Sequence, residues 1–313
     1  MNEKALISIV VPAFNEETNV RILAEKVKEV LADTYLYELI FIDDGSSDNT
    51  LAMLKSLHAE QPNVHYLSFS RNFGHQSALK AGLDAASGDC VISMDADLQH
   101  PPALLPTFIQ KWKEGYDIVY TQRVESDDLS FLKKQTSTGF YKLLNQLSEI
   151  ELEAGTADFR LMDRKVVNIV KNSSESNLFL RGFIAWMGFK QHKIAYEPDA
   201  RFSGTSKYTF KKMFALAING ITSFSIKPLQ MATYLGASIS LLSFLYGLYA
   251  IYAHIFTDKA ETGWTSILTS ILFIGGLQLL VLGIIGEYLG KVLMQTKARP
   301  DYLVRESSII SRR

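Results

Sequence analysis

The chain has one cysteine, Cys90, in 313 residues. That count excludes a disulfide framework and a cysteine-based zinc site within one chain, and it suits a reducing compartment. Charge of either sign is not in excess: Lys and Arg total 32 against 33 Asp and Glu, a formal net charge of −1. Nucleic-acid binding usually goes with a basic excess or stripe, so the balance argues against it. Glycine is missing from PAFNEE (12–17), the turn after the first apolar run. A dinucleotide fold needs G-x-G-x-x-G there. No G-x-x-x-x-G-K-[ST] occurs either, which disfavours P-loop chemistry. The apolar stretch Ala5 to Val11 is short and ends at Pro12, without the basic region or cleavage site of a signal peptide. The amino-terminal part is expected to stay on the side where it is made.

The most informative absence is a local one. From Pro228 to Thr257, and again from Thr262 to Gly286, there is no formally charged side chain. A helix crosses a bilayer core with roughly 20 apolar residues, while buried core segments run to ~10–14, so both runs predict spans. Lys207, Lys211, Lys212 and Lys227 precede the first run, and Lys291, Lys297, Arg299 and Arg305 follow the second. The loop between holds only Asp258, Lys259 and Glu261. The positive-inside rule then places both ends in the cytoplasm. The expected organisation is a soluble domain over 1–206, a juxtamembrane helix over 207–227 and two transmembrane helices within 228–295. An outer loop falls near 257–263 and a cytoplasmic tail over 296–313.

In the soluble part, short β-branched runs alternate with helical patterns. Leu6–Val11, Glu38–Ile42, Val64–Phe69, Cys90–Met94 and Asp117–Tyr120 read as buried strands. Val20, Leu23, Val27, Val30 and Leu31 recur at helical spacing, and Thr50–Leu57 and Gln76–Ala86 also look helical. This βαβα order predicts an α/β fold with a mostly parallel sheet. Ligands in such sheets bind beyond the carboxyl ends of the strands. Four of the strands are followed there by polar segments: PAFNE (12–16), DDGSSD (43–48), SRNFG (70–74) and DADLQ (95–99).

Asp95 and Asp97 are the sharpest signal. Alternate residues just past a buried strand can bring two carboxylates to one place, where unpaired they would repel. A divalent cation, Mg²⁺ or Mn²⁺, removes the conflict, with phosphate and water completing its oxygen shell. Helix capping before Pro101-Pro102 would explain one of these aspartates and not the other. At Asp43-Asp44, a turn through Gly45 is expected to present Asp44 to a ribose or base N–H.

Together these segments resemble the family 2 glycosyltransferases of GT-A fold, and the resemblance covers the full length. The carrying motifs are VVPAFNEE (10–17), IDDGSSDNT (42–50), SRNFGHQSALKAGLDAASGD (70–89), MDADLQHP (94–101), GTADFRLMDRKVV (155–167) and SGTSKYTFKKM (203–213). GITSFS (220–225), SILFIGGLQ (270–278), GEYLGKV (286–292) and TKARPDY (296–302) look like the two-span bactoprenol glucosyltransferases of O-antigen modification. These are polyprenyl-phosphate glycosyltransferases, a branch that includes dolichyl-phosphate mannose synthase.

The resemblance implies transfer of a hexose, glucose from UDP-glucose, to undecaprenyl phosphate with inversion. Mannose or an aminoarabinose-type sugar are the alternatives. Pro12, Asn15, Glu16 and Asp44 would line the nucleotide pocket, and Arg71 and Ser203 would also bind substrate. Asp95, Asp97 and Gln99 would hold the cation on the diphosphate. Arg123, Arg160, Arg201 and Lys207 would face phosphates, Arg201 with a catalytic share. Asp158 matches the position often proposed as a base. A phosphate nucleophile is already largely ionised at neutral pH, its second pKa being about 6, so Asp158 is expected mainly to orient groups. Its loss should hurt less than loss of Asp97. The resemblance also implies a multi-pass protein of the bacterial inner membrane and a homo-oligomer such as a tetramer. A flippase and a downstream glycosyltransferase would be its partners.

Phe210, Met213, Phe214, Ala217 and Ile221 recur at helical intervals, the pattern of a helix lying in the membrane interface. Phe131–Ile150 is a second candidate, and Glu287-Tyr288 reads as an interfacial anchor. A processive polysaccharide synthase would carry more spans and Q-x-x-R-W, which RGFIAWMG (181–188) does not match. A nucleotidyltransferase would leave the apolar tail unexplained, and an inactive scaffold for a flippase would not need Asp95, Asp97 and Arg201.

Overall fold

The computed structural model describes residues 5–123, 156–173, 175, 179–196, 222, 225–256 and 263–309. Arg201, Ser203, Lys207, the interfacial helix expected after Tyr208 and the stretch Phe131–Ile150 lie outside the described residues. The chain divides into two compact units, and the residues from Arg299 onward belong with the amino-terminal one.

The first unit is built on one sheet. In chain order its strands are β1 (Leu6–Ala13), β2 (Leu36–Asp43), β3 (Val64–Phe69), β4 (Cys90–Ser93), β5 (Ile118–Arg123), β6 (Thr156–Asp163), β7 (Gln191–Tyr196) and β8 (Val304–Ser307). They lie in the order β7-β5-β6-β4-β1-β2-β3-β8. β1 pairs in parallel with β2 and β4, and β2 with β3. These central strands are covered on both faces, so their apolar residues run nearly unbroken: Ile9, Val10, Val11, Leu39, Ile40, Phe41 and Ile42 are all fully buried. β6 is antiparallel to β4 and β5, while β5 and β7 are parallel.

The helices are α1 (Val20–Leu31), α2 (Thr50–Glu60), α3 (His75–Ala85), α4 (Leu105–Lys113), α5 (Arg164–Asn172) and α6 (Leu180–Trp186). α1 turns Val20, Leu23, Ala24, Val27 and Leu31 inward, the expected 3.6-residue stripe. α3 lies close against β1 because Gly82 has no side chain: a Cβ there would fall 2.0 Å from Val10 Cγ1.

Within the expected tail over 296–313 lies β8. Val304–Ser307 adds antiparallel to β3, and flanking bonds run from Ser70 N–H to the Leu303 carbonyl and from Ser308 N–H to the Tyr66 carbonyl, each 3.0 Å. The Tyr302 ring stacks on Phe69 at 5.2 Å, and its hydroxyl donates to Asp84 Oδ2 at 3.0 Å. Lys55 pairs with Glu306 at 2.7 Å. The physical reason is the free edge of β3, whose unpaired N–H and C=O groups accept a partner strand.

The second unit contains α7 (Lys227–Phe256) and α8 (Trp264–Thr296). Lys227–Tyr249 and Thr269–Thr296 are long and apolar enough to cross a membrane, with mean hydropathies of 1.4 and 2.1. Leu241, Leu242, Phe244, Phe273, Leu279 and Leu282 are each at least 60% exposed. An apolar surface of this extent is not stable in water, so the two helices indicate membrane association. Within this unit the Tyr288 hydroxyl donates to the Ser225 carbonyl at 2.6 Å.

Candidate active site

The carboxyl ends of β1, β2, β3 and β4 lie side by side, and the loops leaving β1, β2 and β3 are bonded to one another. Pro12 is buried at the end of β1, in register with Ile42. Asn15 follows with φ 57°, a left-handed conformation that asparagine tolerates better than most residues. Its N–H donates to Ser46 Oγ at 2.9 Å, and its Oδ1 accepts from the Ser47 N–H at 2.9 Å. Glu16 donates its N–H to Thr50 Oγ1 at 2.8 Å, and its carboxylate accepts from Asn19 at 2.6 Å. Burial, followed by the charges of Asp97, Asp48 and Asp95, raises its pKa, and the Asn19 bond opposes the rise.

Asp44 is the residue expected to meet a ribose or base N–H. It is 3% exposed, and it accepts the N–H groups of Phe73 at 2.7 Å and Gly74 at 3.0 Å. It therefore stitches the second loop to the third at the amino end of α3, where negative charge is favoured. Burial raises its pKa even against those amide bonds. Asp43, also buried, accepts from Ser68 Oγ at 2.7 Å and the Ser46 N–H at 2.9 Å. Gly45 (φ +68°) lets the loops touch, since a Cβ would lie 2.4 Å from the Arg71 carbonyl carbon. Arg71 is exposed and its guanidinium lies 4.1 Å from the Phe73 ring centroid.

The fourth loop carries Asp95, Asp97 and Gln99. Asp97 Oδ1 accepts from the Gln99 N–H at 3.1 Å. Gln99, expected as a metal ligand, accepts a hydrogen bond from Arg123 Nη2 at 2.9 Å. This holds Arg123, at the end of β5, against the fourth loop. Asp95 Oδ1 is buried without a hydrogen-bond partner.

Two histidines absent from the sequence-based site flank Asp95. His75 Nε2 is 3.6 Å from Asp95 Oδ1 and 3.5 Å from Asp158 Oδ2. Burial disfavours its charged form, but the Asp158 bond and the charges of Asp95 and Asp158 outweigh that and raise its pKa. His100 is buried, and its Nδ1 accepts the Asp95 N–H at 2.9 Å. Burial lowers its pKa, against the pull of Asp95 and Asp97.

Asp158 lies on β6 and is 6% exposed. Arg181, a third residue the sequence did not mark, grips it with two bonds, Nε to Oδ1 at 2.8 Å and Nη2 to Oδ2 at 2.7 Å. Burial alone would raise its pKa; Arg181, with His75 and Arg160, holds it well below the usual carboxylate range. Arg160 was expected to face a phosphate. It is 4% exposed, bonding the Ala157 carbonyl at 3.0 Å and Asp158 at 3.4 Å. Burial pushes its pKa down to about 10. It is a buried counter-charge to Asp158. The H of GH (74–75), which opens α3, and the H of DADLQH were visible as titratable residues in segments that follow strands. Nothing in the sequence links Arg181 to Asp158.

Among the described residues no group of three His, Cys, Asp or Glu is arranged as a metal cage. The donor set still suits a hard cation, which commonly takes one or two carboxylates with phosphate and water. The unpartnered Asp95 Oδ1, with Glu16 close enough to feel the charges of both Asp95 and Asp97, provides that chemistry.

A parallel-centred sheet with a polar, acidic carboxyl edge is the arrangement of a nucleotide-sugar transferase, and comparison with known proteins agrees. Residues 8–170 match glycosyl transferase family 2, and the chain belongs to that family. Residues 227–292 match the GtrB C-terminal hairpin. The chain is 44% identical over 308 residues to an uncharacterized glycosyltransferase of Bacillus subtilis (strain 168), covering 98% of this chain and 95% of that protein. It is 43% identical over 300 residues to the bactoprenol glucosyl transferase of Shigella phage SfX, covering 96% and 98%. The structure of a mannosyltransferase from Pyrobaculum calidifontis, in complex with GDP-Man and Mn²⁺, has a TM-score of 0.50 at 13% identity. It covers 96% of this chain and 86% of that one and shares the fold. The protein is a glycosyltransferase.

Proposed function

We propose that the protein transfers glucose from UDP-glucose to a polyprenyl phosphate, with inversion, at the cytoplasmic face of a bacterial inner membrane. The observation that carries this reading is the joint one of site and hairpin. An acidic strand edge and two apolar helices occur in one chain that is similar, nearly end to end, to bactoprenol glucosyl transferases.

In the reaction, an oxygen of the acceptor phosphate attacks the anomeric carbon as the bond to the nucleotide diphosphate breaks. The electron pair leaves with the diphosphate, and a single displacement inverts the configuration. Asp95 and Asp97 would hold a divalent cation, which when bound neutralises charge on the departing diphosphate. Arg123, fixed through Gln99, adds directed N–H donors for the same oxygens. Pro12, Asn15, Glu16 and Arg71 border the nucleotide, and Asp44 acts by closing the third loop onto the second. Asp158 holds Arg181 and His75 in place. The acceptor needs no strong base, because its phosphate is already ionised. Arg201, Ser203 and Lys207 are assigned to phosphate and acceptor binding.

The domain layout is a catalytic unit over 1–206, a juxtamembrane helix over 207–227 and two spans within 228–295. β8, on the catalytic sheet beyond the second span, supports placing both flanks of the hairpin on one membrane side. We assign the protein as a homo-oligomer whose product feeds a flippase and a downstream transferase.

The test is transfer of radiolabel from UDP-glucose into organic-extractable lipid, using purified protein, undecaprenyl phosphate and Mg²⁺. Labelled lipid that disappears with EDTA is the expected result. Label from another nucleotide sugar alone would overturn glucose and leave the reaction standing. No transfer from any donor by folded protein would overturn the reading.

A further inference from the structure

One imidazole meets Asp95 twice. The Asp95 N–H donates to His100 Nδ1 at 2.9 Å, and Asp95 Oδ2 lies 3.6 Å from His100 Nε2. A nitrogen that accepts a hydrogen bond carries no proton, so the neutral ring has its N–H on Nε2, the atom nearer the carboxylate. The ring is only 2% exposed. It stacks on Phe159, with centroids 4.9 Å apart and planes 12° from parallel, and Tyr196 meets it edge-on at 6.1 Å. The turn that returns residue 100 to residue 95 passes through Leu98 at φ 62°. For a residue with a Cβ, that region costs roughly 1–2 kcal/mol. The loop holds an unfavourable backbone conformation and, in it, keeps a buried ring on both the amide and the carboxylate of one aspartate. Packing alone requires neither contact.

We infer that His100 is a positioning residue for Asp95, fixing its backbone through the amide hydrogen bond so that the carboxylate is set with Oδ1 left for the cation. The inference rests on the cation reading above and goes beyond it by naming what sets the ligand's pose. Partners that orient metal ligands typically matter by ~10–100-fold in affinity. His75, the other ring beside this carboxylate, meets Asp95 at Oδ1 at 3.6 Å and Asp158 at 3.5 Å, so its contact is with the carboxylate and not with the amide that His100 holds.

Three variants of the full chain in detergent separate the contacts. His100→Asn keeps an acceptor where Nδ1 stands, His100→Gln keeps a donor near Nε2, and His100→Phe keeps only the stack on Phe159. Mn²⁺ affinity in saturating UDP is read from the electron paramagnetic resonance of free Mn²⁺, beside UDP affinity in EDTA and the thermal midpoint. The expected result is Mn²⁺ binding weakened by ~10–100-fold in His100→Phe, substantially recovered in His100→Asn, with metal-free UDP binding unchanged. Wild-type Mn²⁺ affinity in His100→Phe would overturn the inference, as would equal losses in the Asn and Phe variants. Should His100→Phe not fold, Asn binding Mn²⁺ more tightly than Gln supports the inference and equality overturns it. Wild-type protein that binds UDP but no Mn²⁺ would sink the cation reading itself.

Discussion

Replacing Asp158 by asparagine should damage the fold before it damages the chemistry. Asp158 is 6% exposed and Arg160 is 4% exposed, and Arg160 has no other carboxylate among its described contacts, only the Ala157 carbonyl at 3.0 Å. Asp158→Asn keeps the shape and removes the charge, leaving the Arg160 guanidinium buried and uncompensated. Breaking a buried pair in this way costs about 3–5 kcal/mol. Arg181 is 32% exposed, so water screens its loss and it adds only ~0–1 kcal/mol. With ~2–4 °C per kcal/mol for a domain of this size, the thermal midpoint should fall by roughly 6–20 °C. Adding Arg160→Met removes the orphaned charge and should restore most of the loss, a coupling that a double-mutant cycle measures directly.

The sign with pH follows from the depressed pKa of Asp158. Its stabilisation is fully present above the unfolded value of about 3.9 and is lost only as pH falls through the lower folded value. The gap in midpoint between wild type and Asp158→Asn should therefore be widest from about pH 5 to the unfolded histidine value of about 6.5, where protonated His75 adds to the pairing, and should narrow as pH rises through the raised His75 value. A carboxylate held so acidic is a poor proton acceptor, and per folded molecule Asp158→Asn should retain more turnover than Asp97→Asn. The assay pairs scanning fluorescence of the detergent-solubilised protein with the lipid-transfer assay. A midpoint within ~2 °C of wild type, together with turnover lost by more than ~10²-fold, would refute this reasoning and make Asp158 the base.

Gly45→Ala forces a side chain into the left-handed region, at about 1–2 kcal/mol, and against the Arg71 backbone. It should raise KM for the nucleotide sugar more than it lowers kcat, as steady-state kinetics would show. Tyr302→Leu loses the Phe69 stack, worth ~0.5–1.5 kcal/mol, and the Asp84 hydrogen bond, worth a similar ~0.5–1.5. Tyr302→Phe should lose about half as much, read as thermal midpoints. EDTA should abolish lipid labelling and Mn²⁺ or Mg²⁺ should restore it. Asp97→Asn should raise the Mn²⁺ needed for half-maximal turnover by at least the ~10–100-fold typical of an outer partner.

The parallel half of the sheet was legible because burial on both faces leaves unbroken β-branched runs. β1 to β4 begin and end within two residues of the runs read from sequence. β6, β7 and β8 were not read as strands, and each has a reason. β6 mixes Asp158 and Arg160 with apolar residues because two opposite charges neutralise one another inside. β7 lies at a sheet edge with alternate residues exposed. VRES in β8 carries too little apolar surface to announce a strand, and its pairing depends on a free edge 237 residues earlier, as the Arg305–Ser68 contact illustrates. The site divides in the same way. Loops at strand ends located it, but the partners of Asp44 and Asp158 come from residues 29 and 23 positions away, and only the fold brings them in.

The loop acids can be sorted by what satisfies them. Asp44 takes two amides of the next loop, Asp43 takes Ser68 and Ser46, and Glu17 takes the Asn49 N–H at 3.0 Å. Each is used within the protein, and each fastens one loop to its neighbour so that the edge is rigid before any ligand arrives. Asp158 belongs with them, its charge being met by Arg181 and Arg160. Asp95 differs: its backbone is held by His100 while one buried carboxylate oxygen lacks a hydrogen bond. A buried oxygen left in that condition costs free energy unless a ligand completes it. The sheet edge thus carries its stitching acids in a finished state and Asp95 in an unfinished one. That difference, more than the number of carboxylates in the motif, is the ground for proposing the cation at the fourth loop, while the second loop serves closure.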